Sequence, residues 1–283
     1  MIPDLFAPGI ATAFVLTALR VGGLLLVAPA WSAKGVPMRL RTALIVIFAL
    51  MLAPAANATA DLTTLRITPA TFLVETAIGF VIGLAAALVI AAAEFAGELL
   101  TLSIGLSGAA IFDPVNNTQS PVLGSFMQLL ALAVLMIGGG HLVMLEAVGA
   151  SFQAMPLGAP VNLGAGLGAF AHTARSIFLT GMQFASPVIA AVLLTNVALA
   201  VLGRAAPQLN IMTLAFPVQI GVGLLAFAGS VALVVHAMSD WQPGFAGSLD
   251  TFARGARTGA AVAAPVTAPV TAPVTAPVTA PAR

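Results

Sequence analysis

Long apolar runs separated by short polar intervals make up most of this 283-residue chain. Residues 42–60, 114–145, 176–203 and 205–239 contain no Asp, Glu, Lys or Arg. The run 5–30 is broken only by Arg20, and the run 67–93 only by Glu75. Crossing a bilayer core as a helix takes roughly 20 apolar residues, and these runs reach that length. A membrane barrel would instead alternate apolar and polar positions in short segments, which the chain does not do. The pattern therefore predicts an all-α integral membrane protein. Its six hydrophobic helices are expected near 5–30, 42–60, 70–106, 121–147, 174–203 and 208–239. Gly79 and Gly83 fall on one face of the third, a spacing that lets a neighbouring backbone come close.

Several helices are predicted to be irregular. Residues 70–106 are too long for one straight crossing and carry Glu94 and Glu98. Pro187, Pro217 and the Gly138-Gly139-Gly140 run are expected to interrupt later helices. Bent or unwound backbone at membrane depth is tolerated where it is buried in protein or lines a wet cavity. That points to part of an assembly rather than a free-standing bundle.

The most polar interval lies in the middle: "GAAIFDPVNNTQSPVLG", residues 108–124. Asp113-Pro114 and Ser120-Pro121 stop the flanking helices. Asn116, Asn117, Thr118 and Gln119 accept water, while Ile111, Phe112 and Val115 are apolar. Two structures fit this pattern: a re-entrant-like loop at membrane depth, or an exposed turn between two spanning helices.

Composition agrees with a membrane setting. Sixty per cent of residues are hydrophobic (60%) and 7% are charged, against about 25% charged in a soluble domain. The net charge of +1 does not suggest a nucleic-acid partner. The absence of cysteine excludes disulfides and thiolate metal sites. Trp31 and Trp241 lie beside ends of apolar segments, where interfacial rings sit. "APAWSA" at 28–33 resembles a signal-peptidase site, but Asp4 and Arg20 and the lack of a basic leading region favour an uncleaved first membrane helix. Lys34, Arg39, Arg41 and Arg204 share one side if six helices alternate. The positive-inside rule then puts that side in the cytoplasm and both termini outside, although Arg254 and Arg257 point the other way. From residue 241 the character changes, and "APVTAPVTAPVTAPVTAPAR" has a proline every fourth position and no core to bury. The expected division is a membrane-embedded domain at 1–240 and a tail at 241–283 containing a disordered repeat.

Catalytic chemistry finds no support in the residues. His141, His172 and His236 are scattered and form no H-E-x-x-H pair. His141 and Glu146, five apart, do not share a helical face. "GAGLG" at 164–168 lacks the strand that precedes a dinucleotide loop. No metal and no cofactor is expected. Glu94 and Glu98, at i and i+4, do share a face. They continue toward Thr101 and Gly105 as a narrow polar stripe. That stripe faces an aqueous path or a neighbouring subunit, or else the helix ends early and both carboxylates sit at the headgroups. Arg20 and Glu75 are lone charges in apolar runs, to be paired with each other or with partner chains. Asn196, beside Thr195, offers an interhelical hydrogen bond.

"RVGGLLLVAPAWSAKGVPMRLRTAL" (20–44) resembles the opening signature of the FliR family of flagellar export-gate subunits and their virulence type III secretion relatives. "ETAIGFVIGL" (75–84), "GELLTLSIGLSGAAIFDPVNNTQSPVLGSF" (97–126), "GGGHLVMLEAVGASFQAMPLG" (138–158) and "RAAPQLNIMTLAFPVQI" (204–220) continue the likeness in order. The resemblance covers roughly residues 10–240 and leaves out the repeat tail. It implies a non-enzymatic subunit of the bacterial inner-membrane export gate in the flagellar basal body. Such a subunit has a FliP-like part joined to a FliQ-like helical hairpin near 186–235. Implied partners are FliP-type and FliQ-type subunits, the FlhB-type subunit, unfolded export substrates and membrane lipid. By the same likeness the central loop, with Ile111, Phe112, Asp113, Pro114, Val115, Asn116, Asn117, Thr118 and Gln119, is the pore plug. Arg20, Glu75, Glu94, Glu98 and Arg204 are the charges expected to serve assembly. Two other readings stay open on the residues alone: a self-contained small-solute or proton-coupled transporter using Glu94 and Glu98, and an assembly factor with no pore contact.

Overall fold

The computed structural model describes residues 9–29, 31–32, 36–60, 68–106, 122–159, 161–206, 208, 211–239 and 241–258. These form α helices with no strand among the described residues: α1 (Ile10–Val27), α2 (Met38–Thr59), α3 (Pro69–Ile104), α4 (Val122–Ile137), α5 (Gly140–Ala154), α6 (Leu163–Ala205), α7 (Ile211–Ser239) and α8 (Trp241–Thr258). α1, α2, α3 and the segments Phe178–Ala205 and Thr213–His236 are long and apolar enough to cross a membrane. α4 and α5 qualify together as a span bent by 66°.

α3 is the axis on which α1, α4 and α6 pack. It starts at a capping box, in which the Thr68 hydroxyl accepts from the Thr71 amide and Pro69 occupies the first helical position. It ends at Gly105, whose φ of 85° only glycine adopts without strain. The packing is glycine-mediated, as expected where apolar lipid offers no hydrophobic drive and close backbone approach supplies the attraction. A Cβ at Gly79 would overlap the carbonyl of Arg20, and one at Gly83 would lie 2.7 Å from the Leu24 carbonyl. A Cβ at Gly97 would overlap the Leu123 carbonyl on α4, and one at Gly181 on α6 would lie 2.6 Å from the Ala92 carbonyl. The glycine pair read from the sequence is thus one part of a longer seam.

The helix expected over 121–147 is two. α4 ends at Gly138–Gly139, where Gly139 has φ 73°, and α5 then continues to Ala154. Pro187 and Pro217, by contrast, lie inside continuous helices. A single proline removes one internal hydrogen bond, and a long apolar helix with no water to receive freed backbone groups keeps the rest. α6 begins at Leu163 rather than near 174, capped by the Asn162 side chain accepting from the Ala165 amide at 3.1 Å. At 43 residues it is about 65 Å long, roughly twice the bilayer core.

α8 lies where no helix was expected. Trp241, Phe245, Ser248, Phe252 and Ala256 are buried and share one face, while Asp250 and Arg254 pair at 2.6 Å on the exposed face. Gly166 and Gly255 let it settle on the first half of α6, with the Phe252 ring 2.8 Å from where a Cβ at 166 would stand. Trp241 is therefore a core residue rather than an interfacial ring. Pro243 falls in the first turn, where its missing N–H costs no helical bond.

Candidate functional site

The centre of the bundle is polar. α1 carries Arg20 against α3 because Gly23 and Gly79 remove the side chains that would separate the helices. Arg20 is 0% exposed and Glu75 1%. The Arg20 Nε donates to Glu75 Oε2 at 2.7 Å, and Nη2 lies 2.6 Å from the same oxygen. Nη1 donates to the Ser151 hydroxyl at 2.9 Å and Nη2 to the Met155 carbonyl at 3.0 Å. The guanidinium stacks over the Phe152 ring, 4.7 Å from its centre. Glu75 Oε1 accepts from the Gly158 amide at 3.0 Å. Ser151 in turn donates to Val148 at 2.6 Å.

This network joins α1, α3, α5 and the turn that follows α5. A buried ion pair repays its desolvation only when the remaining donors and acceptors are also satisfied. Here the planar guanidinium fork meets a carboxylate, a hydroxyl and a carbonyl together, which is the geometry arginine supplies and lysine does not. The pair is closed to solvent, so it has no route to a substrate, and its chemistry is that of a fixed joint. Of the two pairings the sequence left open, the structure has Arg20 and Glu75 paired with each other. Ser151, Phe152, Met155 and Gly158 were not assigned a role from the sequence, although the "SF … P-L-G" stretch that holds them belongs to the resemblance.

The other singled-out charges are elsewhere. Glu94 is half-buried and accepts from the Gln128 amide on α4 at 3.0 Å, and Glu98, one turn on, is exposed. α3 continues past both to Ile104, so the helix does not end at the carboxylates. Thr101 is buried, with its hydroxyl turned back to the Gly97 carbonyl at 2.8 Å. Arg204 is exposed in the last turn of α6, where a cation complements the helix dipole. Asn196 is exposed, and Thr195 bonds back to the Ala191 carbonyl at 2.9 Å. The plug residues Ile111 to Gln119 lie outside the described residues, but the helices on either side of them do not. α3 leaves at Gly105, and α4 enters with Leu123 and Gly124 against Gly97.

No group of three or more His, Cys, Asp or Glu that could hold a metal occurs among the described residues. A cleft of about 450 Å³ between α5 and α8 is lined chiefly by Ile82, Val143, Ala147, Phe245 and Leu249, with Glu146 and Asp250 also lining it. Ser151 and Met155, which bond Arg20, also line it.

Known proteins give the same reading. The sequence profile of the family described as bacterial export proteins, family 1, matches residues 11–242. Flagellar biosynthetic protein FliR of Escherichia coli is 34% identical over 218 residues, covering 76% of this chain and 83% of that protein. FliR of Caulobacter vibrioides is 29% identical over 239 residues, covering 81% and 94%, and FliR of Bacillus subtilis is 32% identical over 166 residues, covering 57% and 64%. The matched region runs from the first turn of α1 to the start of α8 and includes the whole Arg20–Glu75 network, and the chain belongs to family 1 of the bacterial export proteins.

Proposed function

We propose that this chain is the FliR-type subunit of a flagellar type III protein export apparatus, a non-enzymatic part of the gate through which unfolded substrates cross the bacterial inner membrane. The observation that carries it is the family match, which spans residues 11–242 and leaves out the repeat tail. Its partners in this reading are the FliP-type and FliQ-type subunits and the FlhB-type subunit, with the FliQ-like hairpin near 186–235, in the second half of α6 and most of α7. Arg20 and Glu75 hold the FliP-like part together. Glu94 and Glu98 face a partner or the pore. The reading of a self-contained transporter has no counterpart among the relatives.

The segment Ile111–Gln119 is the plug in this account. The helices that flank it are fixed to each other, because Gly97 of α3 packs directly against Leu123 and Gly124 at the start of α4. Mild detergent extraction of the tagged chain tests the assignment, with export-gate subunits expected in fixed stoichiometry. Recovery as a homodimer alone contradicts it. Deleting residues 111–119 is expected to leave assembly intact and make the gate conduct ions in planar bilayers. Assembly with unchanged tightness reduces the segment to a turn.

A further inference from the structure

The break between α4 and α5 gathers polar atoms that the chain does not satisfy. On one side of it, the Gly138 and Gly139 amides bond back to the Val134 and Met136 carbonyls at 2.9 and 3.1 Å. On the other, the Leu142 and Val143 amides bond to the Gly139 carbonyl at 2.8 and 3.2 Å. Between them, the amides of Gly140 and His141 have no partner among the described residues and point out of the N-terminal end of α5. Two side-chain nitrogens share their condition: Trp241 Nε1 and His141 Nδ1 are buried, and neither has a hydrogen-bond partner among the described residues. Trp241 is 7% exposed, and its indole stacks against Phe245 with ring centroids 5.1 Å apart. Its Nε1 lies 4.0 Å from where a Cβ on Gly138 would stand, so the indole N–H is directed at the break.

Buried donors are rarely left unbonded. An amide N–H and an indole N–H can only donate, so whatever satisfies them must accept. The positive end of α5 favours an anionic acceptor, and a phosphate offers several oxygens to several donors at once. α8 also begins at Trp241, almost where the α7 span ends, and adds a second helix N-terminus nearby. Ile137 and Leu142, on either side of the break, are 88% and 61% exposed. Donors flanked by open apolar surface match an amphiphile rather than a soluble ion. We propose that the α4–α5 break binds the phosphate group of a membrane phospholipid, whose chains lie along Ile137 and Leu142.

The complex co-expressed with its partner subunits and stripped of lipid in mild detergent is the object of the test. Native mass spectrometry follows lipid retained on this subunit during titration with dioleoylphosphatidylglycerol, or with dioleoylglycerol, which has the same chains and no phosphate. The phospholipid is expected to be retained and dioleoylglycerol is not. Trp241→Phe keeps an aromatic ring and removes the donor, and is expected to weaken retention about tenfold, the factor for one charge-assisted hydrogen bond. Gly138→Asp brings a carboxylate to the break and is expected to abolish retention without lowering the unfolding temperature. Equal retention of the two lipids overturns the proposal, as does retention unchanged by Gly138→Asp, which decides the matter if Trp241→Phe fails to assemble. Inorganic phosphate that displaces the phospholipid and raises the unfolding temperature as much overturns the lipid source and leaves a free phosphate there. If Asp240 of the chain itself supplied the anion, Asp240→Asn would lower the unfolding temperature of the stripped complex while Trp241→Phe left lipid retention unchanged, and that pair of results also overturns the proposal.

Discussion

Arg20 bonds to three residues, one on α3 and two at the end of α5, and this makes it the residue whose neighbours matter most. Glu75→Ala leaves the guanidinium buried without its carboxylate. The expected cost is about 3–5 kcal/mol, read as a lower unfolding temperature of the purified complex. Replacing both, Arg20→Met with Glu75→Leu, is expected to recover much of that loss. It does not recover all of it, because Ser151, the Met155 carbonyl and the Gly158 amide lose partners. A pair of variants with equal stability contradicts the joint. The two charges were legible in the sequence as solitary interruptions of apolar runs. Their mutual pairing was not, since a separation of 55 positions carries no distance information. The deciding signal was glycine: with Gly23, Gly79 and Gly83 in place, α1 lies close enough for a short, direct bond. Glu94 and Glu98 were equally visible; among the described residues Glu94 has a partner, Gln128, which no spacing rule connects to it. Replacing both glutamates by glutamine keeps size and polarity. The yield of the assembled gate is expected to fall, because any partner cation loses its counter-charge. An unchanged yield contradicts a role for the two carboxylates in assembly.

At the scale of elements, apolar length identified the spanning helices and failed where hydropathy is not the organising property. α8 reads as polar because its stripe is narrow, although Trp241, Phe245 and Phe252 recur at helical spacing. α6 begins before the expected position, because Gly164, Gly166 and Gly168 lower helix propensity without ending the helix, and Gly166 leaves room for Phe252. Gly138–Gly139 broke a helix and Pro187 and Pro217 did not, since a left-handed residue redirects the chain and one missing amide does not. α8 also holds α5: Arg257 donates to the carbonyls of Gln153 and Ala154, and the Asn162 amide donates to Ala256 at 2.9 Å. A chain ending at residue 240 loses that cover. Its amides over 163–178 are expected to exchange faster in the assembled gate, while those of α3 keep their protection. Unchanged exchange over 163–178 contradicts the role given to α8.

The described part of the molecule is a bundle centred on α3 with outward faces that no described residue covers. Val46, Ile47, Leu50 and Met51 on α2 are exposed, as are Leu193, Leu194, Val197 and Val201 on α6. Hydrocarbon or the helices of other subunits satisfy such surfaces, and water does not. Expressed alone and extracted in detergent, the chain is expected to be heterogeneous, and co-expression with its export-gate partners is expected to make it monodisperse. A stable lone monomer that transports a solute in liposomes contradicts this. The most direct test of the account is the amount of flagellar protein that cells export to the medium. With the chain deleted from its host, export is expected to stop while the flagellar proteins accumulate inside, and supplying the chain in trans is expected to restore export. Export that continues undiminished in its absence contradicts the claim that this chain is part of the gate.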